Sequence, residues 1–126
     1  MSGKRAEGLE ARRRVLGEGY VDRALERASE DSVLSELQEL VTAFGWGEFW
    51  TRTGLDQRTR SLITVAMLAV MNRPAELNLH IQGARRNGAS DEEIGEVLLH
   101  VIPYAGFPAA IDAFKIFEES RQGAST

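Results

Sequence analysis

Leu62-Ile63-Thr64-Val65-Ala66-Met67-Leu68-Ala69-Val70-Met71 is apolar on almost every side of a helix, and this stretch decides the fold. A helix without a polar face has to be covered all round. In a chain of 126 residues the cover has to come from neighbouring helices and, because a small domain leaves much apolar surface open, from another subunit. Upstream, Asp56 stands where a helix N-cap is expected. Downstream, Asn72-Arg73-Pro74 stops the helix, and Pro74 suits the first position of the next one.

That next helix is expected over Pro74 to Arg86, closing at Asn87-Gly88. Ser90-Asp91-Glu92-Glu93 is a capping box that opens a sixth helix, with Ile94, Val97, Leu98 and Val101 pointing inward. Pro103 removes a backbone donor, which predicts a kink or an end there. Tyr104 to Pro108 reads as a turn, and a last helix runs from Pro108 to about Ser120. Toward the N-terminus, helices are expected over Ala6–Leu16 and Tyr20–Ala28. A third is capped by Ser32, with Val33, Leu37, Leu40, Val41 and Phe44 at helical spacing. Gly45-Trp46-Gly47 should then break the chain, leaving Trp46, Phe49 and Trp50 as an aromatic anchor between helices or subunits. No stretch alternates in the manner of a strand. The reading is all-α: a compact single-domain bundle of six to seven helices over residues 1–126, with about 1–5 and 121–126 flexible.

Composition narrows the function. Hydrophobic residues at 43% and charged residues at 27% describe a globular chain. A net charge of -4 argues against a nucleic-acid partner. The run Arg12-Arg13-Arg14 alternates with Glu7, Glu10 and Glu18, which reads as a solvated helix face with i,i+4 ion pairs. The chain has no cysteine, so disulfides, thiolate nucleophiles and Cys-based zinc sites are excluded. The polar start, Met1 to Gly8, lacks a signal-peptide core, and Val65 to Met71 falls far short of the roughly 20 residues that span a bilayer. The expectation is a cytoplasmic protein without a membrane partner. The serine-elbow, P-loop and dinucleotide motifs are all missing.

The chemistry candidates sit on the fifth helix. Arg73, Glu76, His80 and Gly83 form one stripe, with Leu77, Ile81 and Ala84 on the core side. A carboxylate one turn before a histidine can fix its tautomer and raise its pKa, which suits a general acid near neutral pH. A surface Glu–His pair beside a helix-packing glycine satisfies the same spacing. His100, the only other histidine, is either a structural residue or a second polar wall of a pocket. Glu76, His80 and His100 could also hold a metal, although they form no recognised metal motif. Arg58 and Arg60 start the apolar helix, as surface residues or as a carboxylate clamp.

Gly54-Leu55-Asp56, Thr59-Arg60-Ser61-Leu62, Glu76-x-x-x-His80, Asn87-Gly88-Ala89-Ser90-Asp91-Glu92-Glu93-Ile94 and Tyr104-Ala105-Gly106-Phe107-Pro108-Ala109-Ala110 follow one another in an order that resembles the carboxymuconolactone decarboxylase family. Gly45-Trp46-Gly47-Glu48 and the arginine-rich first helix fit as well, so the resemblance covers nearly the whole chain. It implies an alkylhydroperoxidase D-like (AhpD-like) all-α fold and a homo-oligomer, trimer or hexamer, with sites near subunit contacts. It also implies decarboxylation of a carboxymuconolactone in protocatechuate breakdown. A sister branch carries C-x-x-C with histidine four residues on. Here Arg73 and Glu76 occupy the cysteine places, so the peroxidase role does not carry over. Pro103 departs from the aliphatic residue expected at its position.

Under that resemblance the substrate is an unsaturated lactone with two carboxylates. The ring itself accepts the electrons released with CO2, so no cofactor and no metal is required. His80 is then the proton donor, with Glu76 orienting it and Arg60 anchoring a carboxylate. His100 and Tyr104 are candidates for the pocket wall, and the amide end of the Pro108 helix for facing the anion. The alternatives are a family member acting on another small lactone or oxo-acid, one with a redox-related role, and a non-catalytic oligomeric binding protein.

Overall fold

The computed structural model describes residues 2–123, and every regular element in them is a helix. The chain divides into two compact units, Met1–Leu55 and Asp56–Thr126. All seven helices expected from the sequence are present. The structure adds a π-helical segment and a four-residue helix.

The first unit holds α1 (Ser2–Leu16), α2 (Glu18–Ala28), α3 (Ser32–Leu40) and a π-helical segment, Val41–Trp50. Gly17, at φ 94°, turns α1 into α2 in a single residue, a conformation that costs glycine nothing. The cap of α3 is Asp31 rather than Ser32, because the Asp31 carboxylate accepts from the amides of Val33 and Leu34 at 2.9 and 3.0 Å.

Gly45-Trp46-Gly47 does not break the chain. These residues lie inside the π-helical segment, and the reason is packing. A Cβ on Gly8 of α1 would stand 2.1 Å from the Thr42 carbonyl oxygen, and one on Gly47 would stand 2.3 Å from that of Lys4. The glycines are there to let two helical backbones touch. Trp46 and Trp50 stack at 4.9 Å and are buried, as an anchor between helices would be, whereas Phe49 is exposed. Arg12 also departs from the solvated reading. It is 5% exposed, and its guanidinium donates to Gln38 Oε1 at 2.8 Å and Thr42 Oγ1 at 3.1 Å. Arg13 does pair at the surface, with Asp22 at 2.7 Å, and Arg5 with Glu39 at 2.7 Å. The Val33, Leu37, Leu40 and Phe44 stripe exists but is exposed.

The second unit holds α4 (Gln57–Val70), α5 (Pro74–Arg86), α6 (Asp91–Leu99), α7 (Ile102–Ala105) and α8 (Phe107–Gly123). Asp56 caps α4 by accepting from the Thr59 amide at 2.7 Å. Both halves of the Ser90–Glu93 capping box form, and Glu93 is also paired with Arg58. The core gathers Val65 and Ala69 of α4, Leu77 and Ile81 of α5, Ile94 and Leu98 of α6, and Ala113 and Phe117 of α8.

The apolar stretch of α4 is not covered on all sides within the chain. Val65 and Ala69 are buried, whereas Met67, Val70 and Met71 are each more than half exposed. Downstream, Pro103 sits in the first turn of α7, where its missing N–H is one no helix would use. Tyr104 and Ala105 belong to α7, so the expected turn shrinks to Gly106, at φ 93°. Helix α8 starts one residue before Pro108 and continues through Gly123, past the expected start of the frayed tail. Residues 124–126 of that tail, and Met1, lie outside the described residues. No helix among the described residues is long and apolar enough to cross a membrane.

Candidate functional site

Helix α5 has the bounds its sequence announces, Pro74 to Arg86, with Pro in its first turn. Its core side buries Leu77, Ile81 and Ala84. Glu76, His80 and Gly83 lie along the next strip of the same cylinder, since residues three or four apart share a face. Gly83 is buried, Glu76 is exposed at the start of the helix, and His80 between them is half-buried. The stripe therefore runs from solvent into the protein within two turns.

That gradient decides the protonation of His80. Burial, which strips water from the charged imidazolium, pushes its pKa down from 6.5 to about 4. The Glu76 carboxylate pulls the other way but is outweighed. The expectation of a histidine raised toward neutral pH by its partner thus gets the sign of the partner right and the balance wrong. His80 is therefore a neutral imidazole at pH 7.

Arg60 stands in the first turns of α4 and is half-buried. Its neighbour Arg58 is committed to Glu93 on α6. The next residue, Ser61, is fully buried and accepts a hydrogen bond from Asn87 Nδ2, just past the end of α5, at 2.9 Å.

His100 caps the C-terminus of α6, and its ring lies 5.5 Å from that of Tyr104 in a tilted arrangement. The two line a cleft of about 530 Å³ together with Leu62, Ile63, Ala66 and Val70 of α4, and Val97 and Val101 beyond α4. Thr59 and Glu96 complete its polar edge. Glu76, His80 and Arg60 are not among its lining residues. The structure therefore brings His100 and Tyr104 together, and Glu76 with His80, in two separate places. Thr59 was quoted only within the family motif and Glu96 not at all, although Glu96 precedes His100 by four residues, the spacing of Glu76 and His80. Among the described residues, no three His, Asp or Glu side chains gather closely enough to hold a metal ion, and Glu76, His80 and His100 form no such group.

The cleft and the α5 stripe offer different chemistry. No lysine or arginine lines the cleft, so it suits an uncharged, apolar group. The stripe pairs a desolvated imidazole with a carboxylate, the arrangement of a proton-transfer site whose charge state responds to an arriving ion.

Comparison with known proteins gives this geometry its setting. The sequence profile of the carboxymuconolactone decarboxylase family matches residues 35–119. The chain is 41% identical over 113 residues to 4-carboxymuconolactone decarboxylase of Acinetobacter baylyi, covering 90% of this chain and 83% of that protein. It is 39% identical over 114 residues to nitrosuccinic acid decarboxylase npaB of Metarhizium robertsii, covering 90% of this chain and 78% of the relative. An uncharacterised protein of the cox locus of Paracoccus denitrificans is 38% identical over 71 residues, 56% of this chain and 57% of its own.

Proposed function

This chain belongs to the carboxymuconolactone decarboxylase family, and from that premise we propose that it converts 4-carboxymuconolactone to 3-oxoadipate enol-lactone and CO2, without a cofactor, in protocatechuate breakdown. Both relatives matched along 90% of the chain are decarboxylases, and this chain is a carboxy-lyase of their kind. The observation that carries the particular substrate is the 41% identity to the lactone decarboxylase over nearly the full length.

The chemistry asks little of the protein. The bond from the ring carbon to its carboxylate breaks. Its electron pair shifts through the ring double bond onto the lactone carbonyl, giving an enolate. A proton then adds to the carbon next to that carbonyl. One proton is consumed for each CO2 released. The side chains must hold the remaining carboxylate, stabilise the enolate oxygen and deliver the proton. In this reading Arg60 holds the carboxylate, His80 delivers the proton and Glu76 orients the imidazole. His100 and Tyr104 line the separate apolar cleft and have no part in this step.

A neutral His80 keeps only a very weakly acidic N–H, and the substrate itself supplies the remedy. A dicarboxylate arriving beside the imidazole adds negative charge in a low-dielectric place, which favours the protonated ring. Glu76 already pulls in that direction. The donor is thus charged by the anion it serves.

The second relative favours a second reading. Nitrosuccinic acid is also a dicarboxylate whose departing CO2 leaves a carbanion beside an electron-accepting group, here nitro rather than a conjugated lactone. The same anchor and donor would serve it. Supplying purified protein with each compound and following ultraviolet absorbance separates the two. Turnover of the lactone alone supports the first reading. Turnover of nitrosuccinate alone replaces it, and turnover of neither removes both.

We also propose a homo-oligomer, a trimer or hexamer, supported by the exposed Met67, Val70 and Met71 on α4. Light scattering that returns the chain mass of 13.9 kDa at micromolar concentration would refute it.

A further inference from the structure

Helices α4 and α5 are joined by three residues, Met71 to Arg73, and so run antiparallel as neighbours. The short connection fixes the register at the loop end, and the far end keeps its alignment only where something there ties the two helices together. At the far end of this hairpin the Asn87 side-chain amide donates to Ser61 Oγ at 2.9 Å. The Ser61 hydroxyl is fully buried, and a buried hydroxyl left without a partner is costly, so the bond holds strongly to one alignment.

We propose that Asn87 is a positioning residue for the reaction, setting through Ser61 the axial distance between Arg60 and His80 and with it the length of dicarboxylate the site accepts. The proposal rests on the roles given above to Arg60 and His80. Its geometry follows from the helices. Asn87 lies seven residues beyond His80, two turns and nearly the same face, so His80 stands about 10 Å up α5 from the bond. Seven residues up α4 from Ser61 is Leu68, which is therefore level with His80. Arg60 lies one residue beyond Ser61 on the other side. The carboxylate anchor and the proton donor are thus about 12 Å apart along the hairpin, a gap that the arginine side chain and the substrate's acid arm divide between them.

Register matters at this scale. Sliding α5 by one residue changes the gap by about 1.5 Å, and a 1 Å misplacement at a reacting centre can cost on the order of 10²-fold in rate. Asn87 itself stands about 10 Å along α5 from His80, and its side-chain amide is bonded to Ser61.

The test compares two unreactive dicarboxylates that differ by one methylene, glutarate and adipate, by titration calorimetry, so that the result does not depend on turnover. The wild-type protein should prefer one of them by about tenfold, the lower end of what a single methylene is worth in a built site. Asn87→Ala and Ser61→Ala, each with an unchanged circular dichroism spectrum, should bring the two affinities within about twofold of each other. Asn87→Asp, which can accept a bond from the Ser61 hydroxyl, should keep the preference. A wild-type protein with no preference overturns the proposal, as does a folded alanine variant that retains it. If neither alanine variant folds, Asn87→Asp decides, and loss of the preference there overturns it. Lactone turnover is measured alongside. A wild-type protein that discriminates between the diacids yet leaves the lactone untouched shows the positioning role standing while the substrate assignment falls.

Discussion

His80 held at about 4 instead of 6.5 has a consequence for stability that can be worked out in advance. The unfolded chain takes up a proton at the imidazole as pH falls through 6.5, whereas the folded chain resists until about 4. Between those values the unfolded state binds more protons, so stability falls with falling pH. It is whole above about 6.5 and levels off below about 4. Evaluated at pH 4, the loss from this one residue is about 3 kcal/mol, since each pKa unit corresponds to about 1.4 kcal/mol. His80→Gln keeps a polar side chain of similar reach but cannot titrate, so it should lose about 3 kcal/mol less than wild type between pH 7 and pH 4. Urea unfolding at three pH values measures this difference directly. The chain has only two histidines, so the same variant also assigns the His80 ring proton in a nuclear magnetic resonance titration. Parallel wild-type and variant stability curves across the window, or a His80 ring that titrates near 6.5, would refute the reasoning. Glu76→Gln removes the one influence that raises the pKa, and should move the His80 titration lower still.

In turnover, folded His80→Gln should lose roughly 10²–10⁴-fold in kcat, the usual contribution of a general acid, and a near-normal rate would pass the role to His100. Arg60→Leu should raise KM more than it lowers kcat, because a carboxylate anchor acts alike in ground and transition states; a selective loss of kcat would instead make Arg60 part of the chemistry. Gly8→Ala drives a methyl group to 2.1 Å from a carbonyl oxygen, and overpacking of this kind costs about 1–3 kcal/mol or more, read as a lower thermal midpoint. An unchanged midpoint would show that α1 and the π-helical segment separate easily.

The fold was most legible where local chemistry marks an element's ends. Pro74 and Asn87-Gly88 bracket α5, Asp56 starts α4, and Ser90 with Glu93 opens α6, because caps and breakers act within a few residues of themselves. The π-helical segment was not legible. Gly45 and Gly47 read as breakers, and only the approach of α1 shows why a glycine is needed at position 47. Arg12 misled for the same reason: its run of arginines looks solvated until Gln38 and Thr42, distant in sequence, are placed over it. At the candidate site, spacing put Glu76 and His80 on one face and correctly implied that the carboxylate favours the charged ring. Spacing carries no information about how much water the fold removes, and that removal sets the sign of the His80 shift. The Ser61–Asn87 bond was invisible too, since nothing in a sequence tells a buried hydroxyl what it will meet.

Arg12 also sorts the first unit's attachments by their response to salt. Arg5–Glu39 and Arg13–Asp22 are partly exposed ion pairs, and in molar electrolyte, where screening acts within about 3 Å, such pairs fade. The Arg12 guanidinium is shielded from counterions and bonded to two neutral oxygens, one on α3 and one on the π-helical segment. Concentrated salt therefore loosens the outer edge of α1 while leaving intact both this inner tether and the close backbone packing at Gly8 and Gly47.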